Sequence, residues 1–469
     1  MTRLVVVSNR VTLPSHDGRA EAGGLAVAIR AVLKNNPSIW FGWSGKIAVN
    51  REAIETHAVE QGRLSYVVTD LTEDDYQEYY NGFANRVLWP ILHYRLDLAE
   101  FSRRELGGYM RVNEHFATQL DRILRPDDLI WVHDYHLIPL ASALRARGHR
   151  NKIGFFLHVP FPPPEIGTAL PNHEHLIPLL GHYDLVGLQT ENDAVNCARY
   201  LRNECGMPSR GHLTFQANDR IVRVGAFPIG IETAEFKKLA ERSAGSRTVQ
   251  EVVKSLSGRA MIIGVDRLDY SKGIAVRMEA FERFLKAHPE WCGDVTYLQI
   301  APKSRSDILE YAEIDREVSS MAGRINGSLG EAAWTPIRYV NRAYSRSVLA
   351  GLFRLARVGL VTPLRDGMNL VAKEYVAAQD ENDPGVLILS RFAGAAVECK
   401  AALLVNPYDS EAVAGAIARA LAMSLDARRA RHAANYAVIA ANTVQGWGEG
   451  FLASMVAPQA PALATEMER

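Results

Sequence analysis

Short apolar runs recur along this chain, and most end in polar residues and give way to a helical pattern. That rhythm restricts the fold more than any other feature. Leu4-Val5-Val6-Val7 ends in Ser8-Asn9-Arg10, then a loop to Ala22-Gly23-Gly24 and a helix-like stretch from Leu25 to Leu33. Tyr66-Val67-Val68 precedes a helix expected over Glu73 to Asn81. Leu129-Ile130-Trp131-Val132 runs into His133-Asp134-Tyr135-His136 and a helix expected over His136 to Arg147. Ile153 to Leu157 leads to His158 and a proline-rich loop, Leu185 to Leu188 to Gln189-Thr190-Glu191-Asn192, and Ile221 to Val224 to Phe227-Pro228-Ile229-Gly230-Ile231. After a polar, charge-rich helical stretch to Gly258, a second series begins at Met261 to Val265. It continues through Val295 to Ile300, Ile337 to Val340, Val358 to Val361, Val386 to Leu389 and Leu403 to Val405. Runs this short and continuous suit strands buried on both faces. Two blocks of alternating strands and helices predict two α/β domains with parallel sheets.

At 469 residues the chain has room for two or three domains with separate cores. Lys+Arg and Asp+Glu both number 53, so no overall field favours nucleic acid or an anionic membrane. The cysteines, Cys197, Cys205, Cys292 and Cys399, include no C-x-x-C pair and suit a reducing cytosol. The apolar run at the N-terminus is too short for a signal peptide, and none approaches membrane-spanning length. A cytoplasmic protein is expected.

The stretch Val361 to Glu374, V-T-P-L-R-D-G-M-N-L-V-A-K-E, concentrates the chemistry. Pro363 and Gly367 break regular structure, and Asn369 is suited to cap a helix through Leu370, Ala372 and Glu374. A helix N-terminus offers unpaired N–H groups and partial positive charge, which together attract an anion. Glu374, one turn in, is set to accept hydrogen bonds from ligand hydroxyls. Arg267 and Lys272, with Gly273 opening the next helix, suit a diphosphate; a solvated charge pair is the commoner fate of such residues. The polar clusters all follow apolar runs, and in open parallel sheets ligands bind beyond the carboxyl ends of the strands. A cleft between the two domains is therefore expected. Asp134, at a strand tip, can bind sugar hydroxyls or help take a proton. His133 and His136 read as structural histidines rather than metal ligands, because no further ligand set accompanies them. Tyr80 and Trp89, set among Asn81, Asn85, Arg86 and His93, are the aromatics best suited to meet a sugar.

These residues together resemble a known family. L-V-V-V-S-N-R, W-V-H-D-Y-H-L, G-F-F-L-H-V-P-F-P-P-P-E, Q-T-E-N-D, D-R-L-D-Y-S-K-G, Q-I-A-P-K-S-R and T-P-L-R-D-G-M-N-L-V-A-K-E-Y-V-A are similar to the alpha,alpha-trehalose-phosphate synthases (UDP-forming) of retaining glycosyltransferase family 20. The likeness runs from Leu4 to about Tyr408. It implies a GT-B fold, α/β, with two Rossmann-like domains whose parallel sheets face across a cleft. The expected divisions are an acceptor-binding domain over 1–240, a nucleotide-sugar domain over 241–442, and over 443–469 a helix returning to the first domain plus a frayed tail. It implies transfer of glucose from UDP-glucose to glucose 6-phosphate with retention, without a cofactor or metal. Gly23, Gly24, His158, Arg267, Lys272, Asp366, Gly367, Met368, Asn369, Leu370, Val371 and Glu374 would hold the donor. Arg10, Tyr80, Trp89, Asp134 and Arg305 would hold the acceptor. His158, Asp134, Arg267, Lys272 and Asp366 would surround the reacting centre.

The implied reaction is front-face substitution, in which the departing phosphate oxygen takes the acceptor's proton. Retention through a covalent intermediate would need a carboxylate on the far face, and Asp366 is the one to suspect, although a binding role suits it better. Two other readings compete: a related transferase for glycerol 3-phosphate or a cyclitol phosphate, and a silent sensor of sugar phosphates. The nucleotide base and any homo-oligomeric assembly are left open.

Overall fold

The computed structural model describes residues 2–13, 24–33, 37–305 and 308–457. Among them, ten strands form one sheet: β1 (Leu4–Arg10), β2 (Ser38–Ala48), β3 (Thr56–Gln61), β4 (Leu64–Thr72), β5 (Leu129–His133), β6 (Lys152–Phe156), β7 (Leu185–Leu188), β8 (Ser209–Gly211), β9 (Thr214–Ala217) and β10 (Arg220–Ala226). Six form another: β11 (Ala260–Val265), β12 (Val295–Ile300), β13 (Ile337–Val340), β14 (Val358–Val361), β15 (Val386–Ser390) and β16 (Leu403–Val405).

In the first sheet β4-β2-β1-β5-β6-β7-β10 run parallel, and β3, β9 and β8 add antiparallel edges. The second sheet is parallel throughout, in the order β13-β12-β11-β14-β15-β16. Each is wound outward in both directions from its first strand, the Rossmann pattern. The order therefore reverses between β1 and β5 in one sheet and between β11 and β14 in the other. Ligands bind beyond the carboxyl ends of strands at such switch points.

The interior strands are continuous apolar runs because helices cover both their faces: β7, β14 and β15 are buried at every position. β2 was not apparent from sequence. It lies beside β1, with Trp40, Phe41 and Trp43 buried and Trp40 Nε1 donating to Ser8 Oγ at 2.9 Å. A Cβ at Gly42 would strike the Ser8 carbonyl, so a glycine is required there.

Three further expectations change. The helix expected from Glu73 is one short turn, Glu73–Asp75, followed by a π-helix over Tyr76–Leu88. The helix after His136 begins at Leu140, following a 3-10 turn at Tyr135–Leu137. The chain leaves the first compact unit at Pro228, before residue 240, because the helix Thr233–Ser243 packs on the helices Arg346–Leu355 and Leu370–Ala378 of the second. The C-terminal helix, Val444–Val456, gives Trp447, Phe451 and Met455 to the first unit. Phe451 lies 4.7 Å from Trp131, ring over ring, and fills notches left by Gly154 and Gly187.

Candidate active site

At the switch point of the second sheet, two loops meet. The loop after β11 carries Asp266, Arg267, Asp269 and, in a 3-10 turn, Tyr270–Lys272. The loop after β14 carries Asp366 to Asn369. Leu364 donates its backbone N–H to the Ser271 carbonyl at 2.7 Å, and Lys272 Nζ reaches Asp366 Oδ2 at 2.5 Å. Gly273 takes φ 63, and a Cβ there would lie 3.0 Å from the Thr362 carbonyl, so the close approach of the two loops depends on a glycine.

Asn369 caps the next helix, Leu370–Ala378, as expected: its Oδ1 accepts from the Ala372 N–H at 3.2 Å while its Nδ2 donates to Asp366 Oδ2 at 3.0 Å. Asp366 thus accepts from Lys272 and Asn369 together. Met368 is buried, and its carbonyl accepts from Ala395 N–H at 2.8 Å. Gly367 packs backbone to backbone on Gly394. Leu370, Val371 and Glu374 follow, each half-buried, and Arg267 is exposed. Burial pushes the Glu374 carboxyl up to about 7, with Arg346, whose Nε is 3.7 Å away, opposing the shift. Arg346 was not singled out from sequence, since nothing in the spacing points from it to Glu374.

The first sheet has a matching set. At the end of β1, Arg10 is exposed and its guanidinium lies over Trp43, 5.5 Å from the ring. Tyr79 Oη donates to Asn9 Oδ1 at 2.8 Å, which draws the π-helix to this strand end. Tyr80, the next residue, is half-buried and stacks on His136, with centroids 5.8 Å apart. Asp134 holds φ 76, a conformation that costs a non-glycine residue about 1–3 kcal/mol. Its backbone N–H donates to the Phe156 carbonyl at 2.8 Å, and its Oδ1 accepts from the His158 N–H at 3.2 Å, so it bridges the ends of β5 and β6. His158 Nε2 is 3.0 Å from His133 Nδ1, and Gln189 Nε2 is 3.4 Å from His158 Nδ1. Burial pushes His158 down to about 3, and His133 well below its usual range. Both rings are neutral at physiological pH.

Three sequence readings need qualification. Trp89 is not an open platform: it is 4% exposed, packed against His93 and Tyr135. Arg305, expected to hold the acceptor, is engaged by its own neighbours. It holds φ 51, its side chain is 6% exposed, and its Nη1 lies 2.5 Å from the Tyr311 hydroxyl and 3.4 Å from Asp269 Oδ2. Gly23 lies outside the described residues, and Gly24 opens the helix Gly24–Leu33. His133 and His136 have no metal-binding company: among the described residues, no group of three or more His, Cys, Asp or Glu side chains could hold an ion. No helix among them is long and apolar enough to cross a membrane.

The family model described as Glycosyltransferase family 20 matches residues 2–457. A trehalose-6-phosphate synthase of Sinorhizobium fredii is 54% identical over 458 residues, covering 97% of this chain and 99% of the relative. Among solved structures, a UDP-forming alpha,alpha-trehalose-phosphate synthase from Burkholderia xenovorans in complex with glucose-6-phosphate is 46% identical, with TM-score 0.93 over 97% of this chain and 99% of that one. A structure described as trehalose-6-phosphate from E. coli bound with UDP-2-fluoro glucose is 47% identical, with TM-score 0.92 over 97% of this chain and 99% of that one.

Proposed function

The chain belongs to glycosyltransferase family 20 and has the GT-B fold, and from that membership we propose its reaction and the part each residue plays. Glucose moves from UDP-glucose to glucose 6-phosphate with retention, giving alpha,alpha-trehalose 6-phosphate and UDP, in trehalose biosynthesis. The observation that carries this reading is the pairing of Lys272 with Asp366 at the switch point between β11 and β14, beside the Asn369-capped helix. A cation, a helix N-terminus and, one turn in, a carboxylate match a diphosphate followed by a ribose. The relatives bound to glucose-6-phosphate and UDP-2-fluoro glucose supply both substrates.

In this reading the second unit binds the donor and the first the acceptor. Arg267 and Lys272 take the diphosphate, and Leu370, Val371 and Glu374 the nucleoside; Gly23 and Gly24 are assigned to the donor with them. Asp366, Gly367, Met368, Asn369 and His158 surround the transferred glucose. Arg10, Tyr80, Trp89, Asp134 and Arg305 hold glucose 6-phosphate. The acceptor hydroxyl attacks the anomeric carbon on the face from which UDP leaves. The new glycosidic bond forms as the bond to the β-phosphate oxygen breaks, and that oxygen takes the acceptor's proton. Asp366 suits binding better than attack, because it already accepts from Lys272 and Asn369. His158, neutral at physiological pH, donates or accepts hydrogen bonds without supplying a proton to the medium. Catalysis then rests on positioning two sugars and stabilising the leaving diphosphate with fixed cations and dipoles.

The reaction is further read as metal-independent and the enzyme as cytoplasmic; Arg267, Lys272 and the helix N-terminus carry the charge a divalent ion would otherwise meet. The deciding experiment incubates the protein with glucose 6-phosphate and UDP-, GDP- or ADP-glucose, with and without chelator. An alpha,alpha-linked phosphorylated disaccharide from UDP-glucose, formed equally with chelator, is expected. Another anomer or acceptor overturns the function, and activity restored only by a divalent ion overturns the metal reading.

A further inference from the structure

Beneath the donor loops lies a charged side chain that no role above uses. Arg277 sits one turn into the helix Ile274–Ala287, and it is 1% exposed. Its Nε donates to Thr362 Oγ1 at 3.0 Å. Its Nη1 donates to Asp266 Oδ2 at 2.7 Å and to Gln299 Oε1 at 3.1 Å, and its Nη2 donates to the Lys272 carbonyl at 3.1 Å. These acceptors come from different places. Asp266 follows β11, Gln299 is in β12, Thr362 follows β14, and Lys272 ends the 3-10 turn before the helix. One planar guanidinium thus touches β12, the first residue after each of β11 and β14, and the backbone of the residue that pairs with Asp366. Space for it comes from β11, where a Cβ at Gly264 would lie 2.7 Å from Arg277 Nη1 and 2.5 Å from Gln299 Oε1.

We infer that Arg277 is a positioning residue for the donor site, a clip that sets the spacing of the loops after β11 and β14 and thereby the place of Lys272 and Asp366. It touches no substrate and acts through the Lys272 carbonyl and Thr362. The inference rests on the donor reading above. Its chemistry favours arginine over lysine. The fork has donors fixed in one plane and meets four acceptors at once, whereas an ammonium on a flexible stem is a single point of contact. A buried Arg–Asp pair is not by itself a means to stability, since apolar replacements of such pairs are often neutral or better. Three directed bonds into two loops of one site, with a fourth to Gln299 of β12, are a reason of another kind to keep it.

The test measures melting temperature, UDP binding by calorimetry, and KM for both substrates, in Arg277→Lys, in Thr362→Val, in Arg277→Met and in the double variant Arg277→Met/Asp266→Asn. Arg277→Lys keeps the charge but not the span, and is expected to raise the Kd for UDP and the KM for UDP-glucose at least tenfold. The KM for glucose 6-phosphate should stay within about twofold of wild type. Thr362→Val removes one acceptor without stranding a charge, keeps the fold, and should weaken UDP several-fold. In the double variant no buried charge is left unpaired, so the melting temperature should recover relative to Arg277→Met while UDP affinity does not. If UDP affinity recovers together with melting temperature, or if Thr362→Val and Arg277→Lys bind UDP as wild type does, Arg277 is a core ion pair and the clip is wrong. If the wild-type protein itself binds no uridine nucleotide, the donor reading fails instead, and the clip with it.

Discussion

His158 Nε2 and His133 Nδ1 lie 3.0 Å apart, two imidazoles joined by one hydrogen bond. Such a bond needs an N–H on one ring and a lone pair on the other, so protonating both is excluded. The Gln189 amide at 3.4 Å from His158 Nδ1 favours a lone pair there and the proton on Nε2. Trp447, from the C-terminal helix, packs edge-on to His158 with centroids 5.9 Å apart.

The first prediction concerns pH. A histidine pushed down to about 3 stays neutral across the assay range. The profile of kcat/KM between pH 5 and 9 should then show no limb that His158→Gln removes. His158→Ala should lower kcat/KM for UDP-glucose about tenfold, the equivalent of roughly 1.4 kcal/mol for one lost hydrogen bond and its packing. A limb near 6.5 that disappears in His158→Gln would show that the ring titrates after all.

Glu374 behaves oppositely. Its carboxyl is pushed up to about 7, whereas an unperturbed one titrates near 4.3. Accepting from two ribose hydroxyls with both carboxyl oxygens calls for the ionised form, so UDP binding should release a proton. Affinity should therefore fall as pH drops through about 7. Glu374→Gln should remove this dependence and cost on the order of 1–3 kcal/mol at pH 8. Calorimetry in buffers of different ionisation enthalpy would read the proton directly; a wild-type affinity flat from pH 6 to 8 would refute the assignment.

How much of this was legible beforehand depended on whether a signal is local. Runs such as Val358 to Val361 announced themselves because every position is buried. β2 did not, because Trp40-Phe41-Gly42-Trp43 reads equally as an aromatic cluster until its partners on β1 and β4 are known. β3 is almost wholly exposed and so has no apolar period to detect. The Asn369 cap was readable since a cap and its helix are adjacent in sequence. The clasp of Arg305 was not, because Asp269 is 36 residues away along the chain. Nor did spacing reveal the π-helix over Tyr76–Leu88, which carries Tyr79 to Asn9.

Acid stability gives a prediction independent of function. The Glu282 carboxylate accepts from both Arg324 Nη atoms, at 2.8 and 2.7 Å, and from Lys286 Nζ at 2.7 Å. These bonds, that of Arg324 foremost, pull its carboxyl down to about 2. The stability this confers is fully present above about 4.3, where the unfolded carboxylate titrates, and is lost as pH falls towards 2. Arg324 and Lys286 are 54% and 60% exposed, so solvent screening reduces the gain to about 1–2 kcal/mol. Glu282→Gln should lose that much in urea unfolding at pH 7 and progressively less at pH 4 and 3. A deficit that does not shrink with acid would mean the loss is one of packing.

Arg305 supplies the last prediction, because its two readings move different quantities. Its side chain is buried against Asp269, whose carboxylate is 1% exposed and also accepts from the Tyr311 hydroxyl at 2.8 Å. Removing one partner of a buried pair leaves a charge unmatched, typically at a cost of 3–5 kcal/mol. The 3.4 Å separation and the Tyr311 bond put Arg305→Ala at the low end, about 3 kcal/mol. If Arg305 were only a clasp, the damage would fall on the donor side, since Asp269 also caps the turn holding Ser271 and Lys272. As a reader of the acceptor's phosphate it should instead raise the KM for glucose 6-phosphate, reduce the preference for that sugar over glucose, and spare UDP. The second pattern is expected, since an Arg–phosphate pair loses both charge and fork geometry on truncation. Asp269→Asn is the control, because it frees the guanidinium without removing it and should keep the preference for the phosphorylated sugar. Kinetics with both acceptors, alongside UDP calorimetry, separate the cases. Should Arg305→Ala weaken UDP and leave the acceptor preference intact, Arg305 is a structural clasp, and Arg10, exposed beside Trp43, becomes the residue to test as the phosphate reader.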